Sequence, residues 1–467
     1  MRVLILGINY WPEQTGIAPF TTGRAEHLAA LGHEVTVVTG FPYYPAWRVA
    51  DGYRGLRVHR EERAGVRILR TWLWVPRRVT ALSRIIHEGT FLASSLLRAL
   101  GAGARPDVLL VVSPPLSLTV AAIALGRAWR RPFVLLVEDL QPDTALGLGM
   151  LSSGALARTL FALERSAYRN AAVVATLNDA IRRRVIAKGV AADKVAIASH
   201  WAEPGLFTIC DECDGARFRR AAGLGREFIA VHAGNMGVKQ GLQVIVDAAA
   251  LTRERERLLY LMVGDGAMRP ALQQRIDGER LANVRLLPLL ARERFHGLLA
   301  ASELGLVTQR RVVGDNVFPS KLETLMAAGR PVVASVRHDS MAARVLNESG
   351  AGTVVEPENP HALSNAIVGL MHDHARRAEM ARRGREYARD VWDRSRALDG
   401  FAAVLEGAAL SERRAVRAPI QPTAPVAIDV APFQPTLRVN PRARTHAIAA
   451  RTALQRTAAV FGFGKEH

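Results

Sequence analysis

Lysine is nearly missing from this chain. Of its 62 basic residues only five are lysines: Lys188, Lys194, Lys239, Lys321 and Lys465. Cysteine is scarcer, with Cys210 and Cys213 alone in 467 residues. That count excludes a disulfide framework and fits a reducing compartment. Their single C-x-x-C has no second pair to complete a zinc site, so it reads as two surface or linker cysteines. Homeodomain and zinc-finger spacings are missing, as are RNP-type aromatics, which speaks against nucleic acid as a partner. No D-x-D pair and no His/Cys cluster of ligand spacing occurs, so no metal and no cofactor is expected. The longest apolar run, Val108 to Leu125, is split by Ser113-Pro114-Pro115. A buried strand followed by a helix explains it better than a membrane span. The start, "MRVLILGINYWPEQ", has one basic residue and too short an apolar stretch for a signal peptide. A cytoplasmic location is expected.

What is present describes a globular protein of two or three domains: 49% hydrophobic and 22% charged residues. The net charge of +19 calls for an anionic partner, be it nucleic acid, anionic lipid or a phosphorylated substrate. The arginines are spread along the chain rather than gathered in a block, which again disfavours nucleic acid.

Short apolar runs alternate with segments of helical spacing. In the first half these are "RVLILGIN", "HEVTVVTG", "DVLLVVS", "PFVLLVED" and "AAVVATLN". In the second they are "EFIAVHAGN", "RLLYLMVGDG", "NVRLLPL", "LGLVTQ", "RPVVAS" and "GTVVEP". Strands separated by ten to fifteen helical residues predict an α/β protein with two Rossmann-like, doubly wound parallel-sheet domains facing one another across a cleft. The expected division is an N-terminal domain over residues 1–205, a linker over 206–226 and a C-terminal domain over 227–385. A helix over 386–410 then returns to the first domain, and a Pro/Arg-rich flexible tail fills 411–467. The end of that tail, "THAIAARTALQRTAAV", has the spacing of a weakly amphipathic basic helix.

Two segments concentrate the chemistry. "GNMGVKQG", residues 234–241, lies between a strand and a helix, where glycine lets the backbone approach a ligand and helix-start N–H groups favour an anion. It fits neither the dinucleotide nor the P-loop fingerprint. "VVGDNVFPSKLETLMAAGRPVVAS", residues 312–335, places Lys321 in the first turn of a helix, where a cation opposes the dipole. Ser320 and Glu323 have capping-box spacing. Lys239 and Lys321 are thus both expected at helix starts in the same half, which favours phosphate there.

With "GINYWPEQTGIAP", "VVSPPLSL", "VEDLQPD" and "VGDGA" added to these two segments, the sequence resembles the retaining glycosyltransferases of family four, of GT-B fold. The likeness runs from Met1 to about Leu405 and is strongest to the branch that builds colanic acid, O-antigen and related bacterial surface polysaccharides. It implies transfer of a hexosyl-type sugar, with retention and without metal, from a nucleoside-diphosphate donor held by the C-terminal domain. Gly16, Gly234, Asn235 and Gly237 would then lie at the diphosphate, and Lys239 and Lys321 would neutralise it as the glycosidic bond breaks. Val317, Phe318 and Ser320 would contact phosphate oxygens, and Asp315 and Asn316 the donor sugar. Thr324 falls where the family carries a ribose-binding glutamate, and Asn316 where it carries the first of two glutamates, so the sequence departs from the pattern at both. Glu323 is one position away. Asn235 stands where many relatives have arginine.

Glu138, Asp139 and Asp143 follow an apolar strand of the N-terminal domain and border the cleft on its acceptor side. Orienting an acceptor hydroxyl is one reading, with capping or an ion pair as the other. His200 near the interdomain crossing reads as a cleft or a structural histidine. A lipid-linked acceptor, such as a polyprenyl diphosphate, is implied by the resemblance, together with a peripheral place on the inner face of the cytoplasmic membrane. "TWLWVPRRVTALSRIIHEGTFLASSLLRAL" suits that surface through Trp72, Trp74, Arg77 and Arg78, and equally suits an amphipathic helix packed on the first sheet. The alternatives to a transferase are a GT-B nucleotide-sugar epimerase and a non-catalytic nucleotide-sugar or nucleic-acid binding protein.

Overall fold

The computed structural model of the chain describes residues 1–53, 59–151 and 154–417. The first sheet uses β1 (Arg2–Leu6), β2 (Glu34–Gly40), β3 (His59–Arg63), β4 (Val66–Thr71), β5 (Val108–Ser113), β6 (Phe133–Val137), β7 (Val173–Thr176) and β8 (Val195–Ile197). Their spatial order is β3-β4-β2-β1-β5-β6-β7-β8, parallel throughout except for the antiparallel β3–β4 pair. The second sheet is entirely parallel, with β9 (Phe228–Ala233), β10 (Leu258–Val263), β11 (Val284–Leu287), β12 (Leu304–Thr308), β13 (Val332–Ser335) and β14 (Gly352–Val355) in the order β11-β10-β9-β12-β13-β14.

The strands read as continuous apolar runs because helices cover both sheet faces. VLLVVS of β5 and LLYLMV of β10 are buried at every position. All eleven runs recognised in the sequence are strands. β3, β4 and β8 were not recognised, because "HREER" is a charged edge strand, Arg67 and Arg70 interrupt the apolar run of the interior strand "VRILRT", and "VAI" is too short to show a period.

Four helices matter for the site: α1 (Ala18–Ala30), α2 (Ala81–Leu100), α3 (Leu118–Trp129) and α4 (Gln141–Gly147). Thr80 and Ser83 close a reciprocal capping box at the start of α2. The last described helix, Arg394–Arg417, buries Phe401, Ala402, Leu405, Ala408 and Ala409 against core residues of the first sheet, including Val3, Ile5 and Leu110. It runs seven residues beyond the expected helix end at 410. Residues 418–467, with the basic helix expected there, lie outside the described residues.

Strand order reverses between β1 and β5 in one sheet and between β9 and β12 in the other. Ligands of doubly wound sheets bind off the carboxyl ends of strands at such switch points. The "GNMGVKQG" loop follows β9, the 309–320 segment follows β12, and the Gly16 loop follows β1. Topology alone therefore converges on one cleft.

Candidate functional site

The loop after β9 packs backbone to backbone. Gly234 has φ +129°, and a β-carbon on Gly264 would lie 1.9 Å from the Gly234 carbonyl oxygen. Gly264, the first glycine of "VGDG", therefore has no tolerated replacement, which is why that motif accompanies "GNMGVKQG". Val238–Gln240 form a 3-10 turn, and Gly241 at φ +59° separates it from the helix Gln243–Leu251. Lys239 thus sits on that turn and not in the first turn of the helix, a correction to the sequence reading. Its ammonium is paired across the cleft with the Asp139 carboxylate. The same Asp139 bridges the Val317 backbone, and Leu140 N–H donates to the Asn316 carbonyl at 3.0 Å. The two faces of the cleft meet here.

Lys321 opens the helix Lys321–Ala327 as expected. Among the described residues no carboxylate lies within ion-pair distance of it. Its ammonium lies 3.5 Å from His232 Nε2, and the Gly234 backbone flanks its stem, with 3.7 Å from the Lys321 Cε to a β-carbon placed there. The side chain keeps some solvent contact, yet the surrounding protein lowers its pKa to about 7 by desolvation. His232 is buried, and its pKa is pushed well down by burial and then by the Lys321 charge.

The capping box expected at Ser320 does not form. Ser320 is αR and its side chain makes no cap bond. Glu323 is buried and turns to the interdomain crossing, with Oε2 3.9 Å from His200 Nδ1. Burial first, and then the charge of Glu138, raise its pKa well above the usual carboxylate range, which favours the protonated form. Asp315 Oδ1 accepts from Met341 N–H at 2.7 Å and so caps a neighbouring helix. Asn316 is buried with its Oδ1 unpartnered, and Gln309 donates to the Val317 carbonyl. Phe318 packs near Trp392, and Thr324 is half-buried on the same short helix.

On the N-terminal side Glu138 is fully engaged. Arg24 of α1 donates to Oε1 at 2.9 Å, and His200 Nε2 lies 2.6 Å from Oε2. Burial pushes this carboxyl up, but His200 and Arg24 more than reverse it and hold it at about 2. Phe20 stacks on the His200 ring at 3.5 Å. Glu138 therefore braces the crossing and has no oxygen free for an acceptor. Asp143 is drawn into an ion cluster with Lys188, which also binds Glu164 at 2.7 Å. Of the three acidic residues read on the acceptor side, Asp139 alone pairs with a residue of the donor-side loops. Gly16, at φ +67°, rests on Tyr44, with 3.2 Å from the ring to a β-carbon there.

Sequence reasoning missed Arg24, which looks like one more helical arginine, and left the His200 pairing open. Among the described residues no group of three or more His, Cys, Asp and Glu side chains has the arrangement of a metal site, and no helix is long and apolar enough to cross a membrane.

Residues 15–201 match the family model described as a glycosyl transferase 4-like domain, and residues 227–373 the one described as glycosyl transferases group 1. The putative colanic acid biosynthesis glycosyl transferase WcaI of Escherichia coli (strain K12) is 33% identical over 87% of this chain and its own full length. The probable glycosyltransferase WbjE of Pseudomonas aeruginosa is 27% identical over 57% of this chain and 64% of its own. Among solved structures, sucrose-phosphate synthase of Thermosynechococcus elongatus superposes with a TM-score of 0.69 at 17% identity, covering 88% of this chain and 99% of that one. HepE of Anabaena in complex with UDP-glucose gives 0.66 at 18%, covering 87% and 100%. The fold is that of the GT-B enzymes, and the chain belongs to the family-four glycosyltransferases, in the branch of the colanic acid enzyme.

Proposed function

We propose that this glycosyltransferase moves a sugar, with retention of configuration and without metal, from a nucleoside-diphosphate donor to a lipid-linked glycan during bacterial surface polysaccharide synthesis. The observation that carries the reading is Lys321: an ammonium packed at the switch point beside the Gly234 loop, with no carboxylate partner among the described residues and a pKa lowered to about 7. Such a group is costly until an anion neutralises it, and a diphosphate has the right charge for that loop. Solved relatives of the same fold hold UDP and UDP-glucose, which supports a nucleoside diphosphate as that anion.

Lys321 and Lys239 would take up the charge of the leaving diphosphate, and a leaving-group oxygen would accept the acceptor's proton on the same face of the sugar. No protein nucleophile is needed. Catalysis is then positioning and charge stabilisation. An epimerase would need acid/base groups on the donor side. Glu323 and His232 are both buried there and serve the crossing and Lys321.

The membrane part of the reading rests on α2. Leu82, Ile85, Ile86, Leu97 and Leu100 form an exposed stripe at helical spacing, while His87, Phe91, Ser95 and Ala99 face inward. Exposed Trp72 and Trp74 and the Arg77-Arg78 pair lie just before it. An apolar stripe beside aromatic and basic residues suits an anionic membrane surface.

A thermal-shift panel with UDP, GDP, ADP, CMP and NAD tests the donor site. One nucleoside diphosphate at a hundred times its dissociation constant is expected to add about 2.7 kcal/mol of stability, and Lys321→Ala to abolish that gain. Silence across the panel with folded protein overturns the reading.

A further inference from the structure

The inward side of α2 carries a second cluster, distinct from the donor lysines. Glu88 accepts from Gln141 Nε2 at 3.1 Å, and Arg84 lies 3.6 Å from the same oxygen. Gln141 begins α4, two residues after Asp139, and its Oε1 holds Leu116 N–H beyond the end of β5. Glu88 is therefore tethered to the carboxyl ends of β5 and β6, the edge that forms the cleft. Its side chain is 16% exposed, and burial raises its pKa against the pull of Arg84 and Gln141.

The loop after β2 faces it. Glu13 accepts from the N–H groups of both Tyr43 and Tyr44 at 2.8 Å and fixes that loop. Tyr43 and Trp47 pack edge-on and tilted against His87, the neighbour of Glu88 on α2. His87 is buried, its Nδ1 is on the Trp74 carbonyl, and its Nε2 has no partner among the described residues. The Tyr44 phenol, pushed up to about 12 mainly by burial, also feels the charges of Glu13, Arg84 and Asp139. Asp139 in turn holds Lys239. Asp139, Tyr44, Arg84 and Glu88 thus lie close enough to feel one another's charge, at the edge where Asp139 meets the donor side.

The half-exposed Tyr44 and Trp47 rings, on a loop anchored to α2 through buried Tyr43, together with a tethered carboxylate and a guanidinium, are what a pyranose ring and its hydroxyls need: an apolar face to stack on, and charged partners for directional hydrogen bonds. The next helical turns of α2 carry exposed Leu82, Ile85 and Ile86. A glycan entering from a lipid surface beneath that stripe meets Arg84 and Glu88 first.

We infer that Glu88 is an acceptor-positioning residue: its carboxylate takes a hydroxyl of the acceptor glycan's terminal sugar, with Arg84 and Gln141 fixing the carboxylate and the Tyr43–Trp47 loop supporting the ring. The inference rests on the transferase reading above and adds the element that grips the second substrate. Asp139 stays with Lys239 near the bond that forms, while Glu88 sets which sugar is presented and how.

The test uses the full chain, radiolabelled UDP-, GDP- and ADP-sugars, and membranes of the cells in which the chain occurs as the source of acceptor. Glu88→Gln keeps the size and the Gln141 contact, and Glu88→Asp keeps the charge one methylene short. For Glu88→Gln the membrane concentration giving half-maximal transfer is expected to rise roughly tenfold or more, the loss of one charged hydrogen bond. The donor KM and the thermal shift given by the nucleoside diphosphate are expected to stay at wild-type values, with Glu88→Asp falling between. An unchanged acceptor dependence, or a fall in kcat with both KM values intact, overturns the assignment and leaves the transferase standing. No label transferred by the wild-type chain from any of the three donors overturns the transferase reading and, with it, the role of Glu88.

Discussion

Lys239 and Lys321 look alike in the sequence, two rare lysines flanking glycine or proline in one domain, and the fold treats them oppositely. Lys239 is half-exposed and already paired with Asp139 of the other domain. Lys321 has no carboxylate partner among the described residues and a pKa of about 7. A paired cation joins two surfaces until something more anionic displaces its partner. An unpaired one, with its charge poorly solvated, is a standing demand for a ligand. The acidic residues of the crossing repeat the contrast: Glu138 is ionised between Arg24 and His200, and Glu323, 3.9 Å from His200 on the other side, stays neutral.

The largest effect is expected at the unpaired cation. Lys321→Met keeps the stem and removes the charge, and should lower kcat about 10²- to 10³-fold, the cost of one preorganised charge-stabilising donor. The ligand-free protein should meanwhile gain stability, by about 0.5–2 kcal/mol. Because the folded pKa lies below the unfolded one, the charged form is the disfavoured one. Wild-type stability should therefore rise with pH above about 7, and the variant should lose that slope. Above pH 7 diphosphate binding must also take up a proton, so affinity should fall toward pH 9 in the wild type. Calorimetry with the nucleoside diphosphate at pH 7 and 9 checks both signs. A Lys321→Met protein that still binds would erase the distinction between the two lysines.

Glu138→Gln should come next, costing about 3 kcal/mol in urea unfolding, since it leaves Arg24 buried beside a neutral group. The folded pKa of about 2 lies below the unfolded value. This contribution is therefore fully present above about pH 4.5 and is lost as pH falls toward 2. The wild-type advantage over Glu138→Gln should shrink across that window.

Asp139→Asn should act on the paired cation by removing its competitor. Nucleoside diphosphate should bind up to about tenfold more tightly, about 1.4 kcal/mol, while transfer slows because the acceptor side loses its carboxylate. Tighter binding with slower transfer separates a latch from a simple anion site. Equal affinity would make Lys239 a purely structural partner of Asp139.

Most of the fold was legible because buried parallel strands are apolar at every position and need no partner to be recognised, as in "VLLVVS" and "LLYLMV". The edge strand β3 was not, since "HREER" takes its strand character from the neighbour it pairs with, and β4 was not, since Arg67 and Arg70 break its apolar run. At the site, glycines and lysines could be read because backbone freedom and a cation in a helix's first turn are local facts. Arg24, Glu88 and the direction of Glu323 could not be read. Arg24 meets Glu138 across 114 residues and Glu88 meets Gln141 across 53, and nothing local marks such pairs. Ser320-x-x-Glu323 shows the opposite failure, a valid local signal overruled when burial at the crossing claimed the glutamate.

The smallest effect, and the sharpest check on the contrast, belongs to Glu323→Gln. If Glu323 keeps its proton, the amide replaces a neutral group with a neutral group of the same shape, and stability at pH 6 should change by about 1 kcal/mol or less. A carboxyl raised in the folded state loses stability as pH climbs from the unfolded value toward the folded one, so the wild type should decline on the alkaline side and the variant should not. The two unfolding curves should cross over with rising pH, the opposite of the Glu138→Gln pattern at acid pH. A large loss for Glu323→Gln at pH 6 would mean an ionised Glu323 bonded to His200, and the crossing would then be held by two carboxylates on one imidazole rather than by one.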